Sequence, residues 1–188
     1  MKHTKPALRD LYLKKRMALS MDEHQDLSFS VANECLKLPI WDYQYFHLFL
    51  PMTSKAEIDS SLVLTLLQGR DKEVILPKVI DDLDLQHILL TDSTRIVTNA
   101  WKIPEPIQGI PFDPKLLDVI FVPLLICDLR GHRVGYGKGY YDRFLKKCHP
   151  KSLKIGLSFF DPIPLIEDIY EGDIPLDYCV CPEKTYKF

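Results

Sequence analysis

One stretch near the middle of the chain constrains the fold more than any other. Residues 117–125 form a nearly continuous apolar run, with Pro114 before it and Cys127-Asp128 after it. A short run with no polar face reads as a strand covered on both sides, as in parallel sheets between helical layers. A glycine-rich segment follows, and then residues 140–147 predict a helix. Strand, glycine loop and helix in succession are the building unit of open α/β sheets. Such sheets bind ligands beyond the carboxyl ends of their strands.

The rest of the chain fits that unit. Apolar runs at 45–51, 73–77, 87–90, 154–158 and 178–181 predict further strands. Residues 59–68 predict a helix with Leu62, Leu66 and Leu67 inward and Gly69 at its end. Leu8, Leu11 and Tyr12 recur at helical spacing, and Ser20 with Glu23 three residues on is a capping-box pattern that opens a second helix. Leu27, Val31, Leu36 and Leu38 continue its apolar face, and Pro39 stops it. Residues 101–114, rich in proline and glycine, predict a loop. The expected architecture is α/β, a three-layer α/β/α arrangement with a mostly parallel sheet. An N-terminal helical pair is expected to pack on it as an extra element. No repeat, low-complexity tract or shift of composition marks a boundary, so one domain over residues 1–188 is expected.

Composition narrows the function classes. With 24 basic and 26 acidic residues the net charge is −2, without the basic excess of a nucleic-acid binder. A local basic pocket for an anionic small molecule stays open. The five cysteines, Cys35, Cys127, Cys148, Cys179 and Cys181, are odd in number and form no paired C-x-x-C units. That pattern favours neither a disulfide framework nor a zinc ribbon, and suits free thiols in a reducing compartment. Residues 1–16 carry charge throughout and lack a signal-peptide core. No apolar run approaches the ~20 residues of a membrane span. The expectation is a soluble, cytoplasmic, monomeric protein that meets small molecules and neither nucleic acid nor membrane.

The chemistry concentrates in the glycine segment, which runs from Gly131 to Arg143 and contains Gly131, Gly135, Gly137 and Gly139, four of the chain's eight glycines. Glycines let the backbone approach a ligand closely and turn successive N–H groups toward an anion. The next helix would offer its N-terminus to the same anion. Arg133, Lys138 and Arg143 could add charge-assisted hydrogen bonds to phosphate oxygens. Asp142 is acidic in basic surroundings, which makes sense beside phosphates if Mg²⁺ lies between. The spacing is neither that of a Walker A loop, since Gly139 follows Lys138, nor that of a dinucleotide fingerprint, since glycines alternate at 135, 137 and 139. From the residues alone, a phosphate cradle and a glycine-rich turn with solvated charges both remain open.

The same segment resembles a known family. Arg133-Val134-Gly135-Tyr136-Gly137-Lys138-Gly139-Tyr140-Tyr141-Asp142 is similar to the R-x-G-x-G-x-G-Y-Y-D signature of 5-formyltetrahydrofolate cyclo-ligases. Lys5-Pro6-Ala7-Leu8-Arg9, followed by Arg16, resembles the family's K-x-x-L-R. Phe49-Leu50-Pro51, Glu57-Ile58-Asp59, Pro77-Lys78, residues 101–106 and Asp177 also have counterparts, in order along nearly the whole chain. Two departures stand out: Leu124 where glycine is usual after Pro123, and Ser60 where threonine is usual.

The resemblance implies a fold similar to sugar-phosphate isomerases and CoA-transferases. It also implies ATP- and Mg²⁺-dependent cyclisation of 5-formyltetrahydrofolate to 5,10-methenyltetrahydrofolate. By the same resemblance Lys138, Arg133 and Tyr140 serve catalysis. Lys5, Arg9, Arg133, Val134, Gly135, Tyr136, Gly137, Lys138, Gly139, Tyr140 and Tyr141 meet ATP. Leu50, Glu57, Tyr136, Gly137, Lys138, Gly139 and Tyr140 meet the folate. Asp142 and Asp177 hold Mg²⁺. Asp128 would shape the loop, His132 would be a loop histidine, and Trp101 would pack on the pterin side or in the core. Rival readings are a phosphosugar isomerase that needs no ATP, a nucleotide sensor without turnover, and an RNA binder, which the net charge disfavours.

Overall fold

The computed structural model describes residues 3–81, 83–99 and 102–188. Four α-helices are seen among them: α1 Lys5–Met17, α2 Met21–Cys35, α3 Ser61–Gln68 and α4 Tyr140–Lys147. In chain order the strands are β1 Tyr45–His47, β2 Glu73–Val79, β3 Leu85–Leu89, β4 Ile96–Thr98, β5 Pro104–Pro106, β6 Ile110–Pro111, β7 Val119–Pro123, β8 Ile126–Cys127, β9 Arg133–Val134, β10 Leu153–Leu157, β11 Tyr178–Val180 and β12 Thr185–Lys187.

The central apolar run becomes β7, in the middle of an eight-stranded sheet of order β12-β11-β10-β7-β1-β2-β3-β6. The five inner strands from β11 to β2 are parallel, and antiparallel strands close both edges. Alternation along each strand divides the core. Phe46, Leu48, Val74, Leu76, Val119, Phe121, Ile155 and Val180 face α2 and α3, meeting Val31, Cys35, Val63 and Leu67. Ile75, Ile120, Val122 and Cys179 face the other way, toward Phe144 and Leu145 of α4. The strands are therefore covered on both sides, which is why they read as continuous apolar runs. Each fully buried side chain of this size contributes ~1.5–3 kcal/mol.

The three-layer architecture holds, but the N-terminal helices do not act as a pair. α2, capped by Ser20 and Glu23 in a reciprocal box, belongs to the main core. α1 instead lays Leu8 and Tyr12 on Leu125, Ile126, Val134 and Ile166, next to the small β8–β9 ribbon. α2 ends at Cys35, four residues before Pro39. Residues 101–114 are not all loop, since β5 pairs with β4 and β6 adds to the sheet edge. The central strand is shorter than its apolar run because Leu124 and Leu125 leave the ladder to reach β8.

Two local details follow from the departures in the sequence. Leu124 is 3% exposed and points inward. A Cβ on Gly156 of β10 would lie 2.5 Å from Leu124 Cδ2, so the missing side chain at 156 makes room for the large one at 124. Ser60, fully buried, donates its hydroxyl to the Phe49 carbonyl at 2.5 Å. That bond ties the start of α3 to the segment just after β1.

Candidate active site

The carboxyl ends of β1, β2 and β7 open into a cavity of about 440 Å³, within the ~300–1,000 Å³ usual for small-molecule sites. Phe49, Leu50, Met52, Pro77, Val79, Leu85, Ile103 and Pro123 supply an apolar wall. The glycine loop supplies Gly135, Tyr136, Gly137, Lys138 and Gly139, and α4 supplies Tyr140, Tyr141 and Asp142. Lys5, Arg9 and Arg133 bring charge from α1 and β9, and Glu57 and Glu105 bring carboxylates.

The loop's shape depends on glycine at two points. Gly137 has φ +89° and Gly139 has φ +72°, a left-handed conformation that costs other residues ~1–2 kcal/mol. A Cβ on Gly137 would sit 3.1 Å from Arg9 Cζ, so the guanidinium packs directly on the backbone. Arg9 Nε donates to the Gly135 carbonyl at 2.8 Å. Gly139 is the N-cap of α4, whose first turn therefore faces the cavity. Asp128, wholly buried, organises the turn that leads into the loop. Its carboxylate accepts from the amides of Arg130, His132 and Ile166 and from the Arg130 guanidinium.

The cavity's cations differ in how they are engaged. Arg133, with its side chain 6% exposed, pairs with Asp142 at 2.7 Å and donates to the Ile174 carbonyl. Lys5 pairs with Asp173 and lies over the Tyr170 ring, 4.7 Å from its centroid. Lys138 is exposed, and its ammonium has no hydrogen bond or ion pair among the described residues. It lines the cavity from the glycine loop.

Glu57 is 4% exposed, and burial pushes its carboxyl above the usual range. Three neighbours oppose that shift: the Met52 amide donates to Oε2 at 2.7 Å, the Tyr136 hydroxyl donates to Oε1 at 2.6 Å, and the Arg16 charge lies beyond Tyr136. Tyr141 lines the cavity, but its hydroxyl finds no partner among the described residues, and burial raises its proton affinity strongly. The Tyr140 hydroxyl donates to the Asp81 carbonyl at 2.8 Å, which draws the residues after β2 toward the loop.

Most of the residues singled out in the sequence for ligand contact thus meet around one cavity; Arg143 does not line it, donating instead to the Leu83 and Lys138 carbonyls, and neither do Val134 and Asp177. Val134 is 1% exposed and packs behind the loop with Leu8 and Ile126. Asp177 stands at the amino-terminal ends of β10 and β11, where its carboxylate takes the Lys154 amide at 2.7 Å and the Lys154 ammonium at 2.8 Å. It does not line the cavity. Asp173 does, and sequence reasoning passed over it because it lies in a segment without periodicity or motif. Trp101 lies outside the described residues.

An open, mostly parallel α/β sheet with a cation-rich glycine loop at its carboxyl edge is the frame of a small-molecule site. The sequence profile of the 5-formyltetrahydrofolate cyclo-ligase family matches residues 1–168, and the chain belongs to that family, an enzyme family of the ligase class. A 5-formyltetrahydrofolate cyclo-ligase of Escherichia coli K12 is 28% identical over 183 residues, 93% of this chain and 98% of that one. The solved structure of a 5,10-methenyltetrahydrofolate synthetase from Aquifex aeolicus is similar with TM-score 0.83 and 33% identity, covering 97% of this chain and 92% of that one. A synthetase structure from Mycoplasma pneumoniae follows, with TM-score 0.72 and 25% identity over 94% and 97% of the two chains.

Proposed function

We propose that this protein converts 5-formyltetrahydrofolate and ATP into 5,10-methenyltetrahydrofolate, ADP and phosphate. The observation that carries the reading is one cavity in which a buried carboxylate, Glu57, and an apolar wall share space with a glycine loop and four cationic side chains. A pterin is flat, apolar on its faces and rich in N–H donors at one edge. The wall around Leu50 would pack its faces, and Glu57 would accept from its edge. A triphosphate needs backbone amides and cations, which the loop, Lys5, Arg9, Arg133 and Lys138 would provide.

Chemically, the formyl oxygen takes the γ-phosphoryl group of ATP, and ADP leaves. N10 then attacks the activated carbon, forming the new C–N bond. The phosphorylated oxygen departs as phosphate and N10 gives up its proton. Phosphoryl transfer asks mainly for positioning and charge stabilisation. Lys138 and Arg133 would meet the charge spread over the transferred group, and Tyr140 would border both substrates. Alignment of N10 with the carbon would supply several of the ~7–11 kcal/mol that proximity can contribute.

Among the described residues no group of three or more His, Cys, Asp or Glu is arranged to hold a metal alone. Mg²⁺ commonly takes one or two carboxylates and completes its shell with phosphate and water. Asp142 fits that role, and Asp173 fits it better than Asp177. Asp142 commits Oδ1 to Arg133 and Asp173 commits Oδ2 to Lys5, so each keeps an oxygen without a partner among the described residues. Mg²⁺ held there would neutralise phosphate charge.

The same reading makes the protein a cytoplasmic monomer working as one domain over residues 1–188. Among the described residues no helix is long and apolar enough to cross a membrane. The decisive assay follows methenyl absorbance from purified protein with the formylated folate, with and without ATP and Mg²⁺. Product should appear only with all three. Lys138→Ala should raise the ATP KM about tenfold, the worth of one hydrogen bond to a charged group. Glu57→Ala should raise chiefly the folate KM. Product formation without nucleotide, or ATP binding without product, would refute the reading.

A further inference from the structure

Arg16 does not line the cavity, yet it is 4% exposed and engages the cavity's frame with all three guanidinium nitrogens. Nε donates to the Lys55 carbonyl at 2.9 Å, Nη1 to the Leu124 carbonyl at 3.2 Å, and Nη2 to the Tyr136 hydroxyl. These acceptors come from three separate segments: the turn before Glu57, the end of β7 and the glycine loop. None is charged. A buried cation with only neutral direct partners is costly, and a formal anion, Glu57, lies one hydroxyl away.

That arrangement is directional. Arginine can only donate, and a carboxylate can only accept. The Tyr136 hydroxyl between them must therefore accept from Arg16 and donate to Glu57, which fixes its proton and orients Glu57 Oε1. Arg9, seven residues earlier on α1, holds the Gly135 carbonyl. One helix thus grips both members of the Gly135-Tyr136 pair.

We infer that Arg16 is a positioning residue that aims the Glu57 carboxylate into the cavity through Tyr136, so that folate recognition depends on a side chain the folate never touches. This rests on the reading that a folate lies against Glu57. A planar fork reaching three acceptors explains why arginine stands here, since a lysine ammonium cannot match that geometry. The charge has a second effect. Burial raises the affinity of Glu57 for a proton, and the Arg16 charge opposes it. Removing the charge would let Glu57 protonate at higher pH, and a protonated carboxyl loses its acceptor role toward the pterin. The groups facing Glu57 are Arg16 from α1, Tyr136 from the loop, Tyr141 from α4 and, on its carbonyl, His24 from α2.

The test measures the KM and Kd of 5-formyltetrahydrofolate from pH 5 to 9 in the wild type, Arg16→Met, Arg16→Lys and Tyr136→Phe, each checked for native circular dichroism. The profiles are repeated in a His24→Gln background to remove that imidazole. Arg16→Met should weaken folate by about 10- to 100-fold, much more than it weakens ATP, and should move the acidic limb of folate binding to higher pH. Arg16→Lys, which keeps the charge but not the fork, should weaken folate while leaving the limb near its wild-type position. Tyr136→Phe should move the limb in the same direction as Arg16→Met, and it decides the matter if Arg16→Met does not fold. Coincident limbs in the Met and Lys variants, or a Tyr136→Phe protein with wild-type folate binding, overturn the inference. A folded wild type that neither binds nor converts the folate overturns the proposed activity, and this inference with it.

Discussion

His47 and His87 face each other at 5.3 Å between ring centroids, and both rings lie against Phe144, at 4.6 and 4.1 Å. Both are buried, and both His47 nitrogens and His87 Nδ1 lack partners among the described residues. Burial is the main cause that depresses both, with Lys147 adding to it at His87, which falls to about 4. His87 is thus neutral in the fold but accepts a proton near 6.5 when unfolded. Its contribution is complete above 6.5 and is lost as pH falls through that window toward 4. A gap of that size corresponds to roughly 3 kcal/mol. Urea unfolding at intervals from pH 7 to 4 should show the loss, and His87→Phe, which keeps the stack on Phe144, should flatten the curve. An unchanged slope would assign the acid sensitivity elsewhere. Nothing in the sequence marked this cluster, because each histidine sits alone in a strand and only the sheet order brings them under α4.

At the scale of elements, the left-handed glycine that caps α4 makes a sharp prediction. A Cβ at Gly139 would lie 2.8 Å from Arg143 Nη1 with φ at +72°. Gly139→Ala should therefore cost ~1–2 kcal/mol and lower the melting temperature by ~2–8 °C for a chain of this length. It should also raise the ATP KM, because the helix start would be displaced. Differential scanning calorimetry and the methenyl assay would read the two effects. Ser20→Ala, which removes only a capping box outside the cavity lining, should cost ~1 kcal/mol with kcat/KM unchanged. Elements with a local signal were legible in the sequence. The limits of α4 agree with the expected 140–147, and Ser20 with Glu23 marks the start of α2. Elements whose identity depends on a distant partner were not: β4, β8, β9 and β12 are two or three residues long and exist through pairing alone. The site divides the same way. The glycine loop announces itself, whereas Arg16 shows only as a continuation of a helical stripe, and Asp173 not at all. Asp177, singled out by resemblance, stands with Lys154 instead.

For the whole molecule, α1 links the parts that the proposed reaction must hold together. Lys5, Arg9 and Arg16 reach Asp173, the glycine loop and the Glu57 network in turn. Saturating ATP with Mg²⁺ should therefore stabilise the entire fold and not one lobe. At a hundredfold excess over Kd the gain is ~2.7 kcal/mol, a rise of ~5–11 °C at ~2–4 °C per kcal/mol. Hydrogen exchange should slow in α1 and in residues 133–143 together. Protection confined to the loop would mean that α1 does not respond to the nucleotide.

The strand order also has a consequence for how the chain is made. β1 meets β2 through nearby residues, but its other neighbour is β7, with Phe46 beside Val119. On the ribosome, β1 waits for roughly 70 further residues, or ~4–14 s at ~5–20 residues per second. Through that interval its outer hydrogen-bonding edge, flanked by Phe46 and Leu48, is open to any other nascent strand. Yield from cells should accordingly depend on translation speed and chaperone supply more than the finished sheet's stability would suggest.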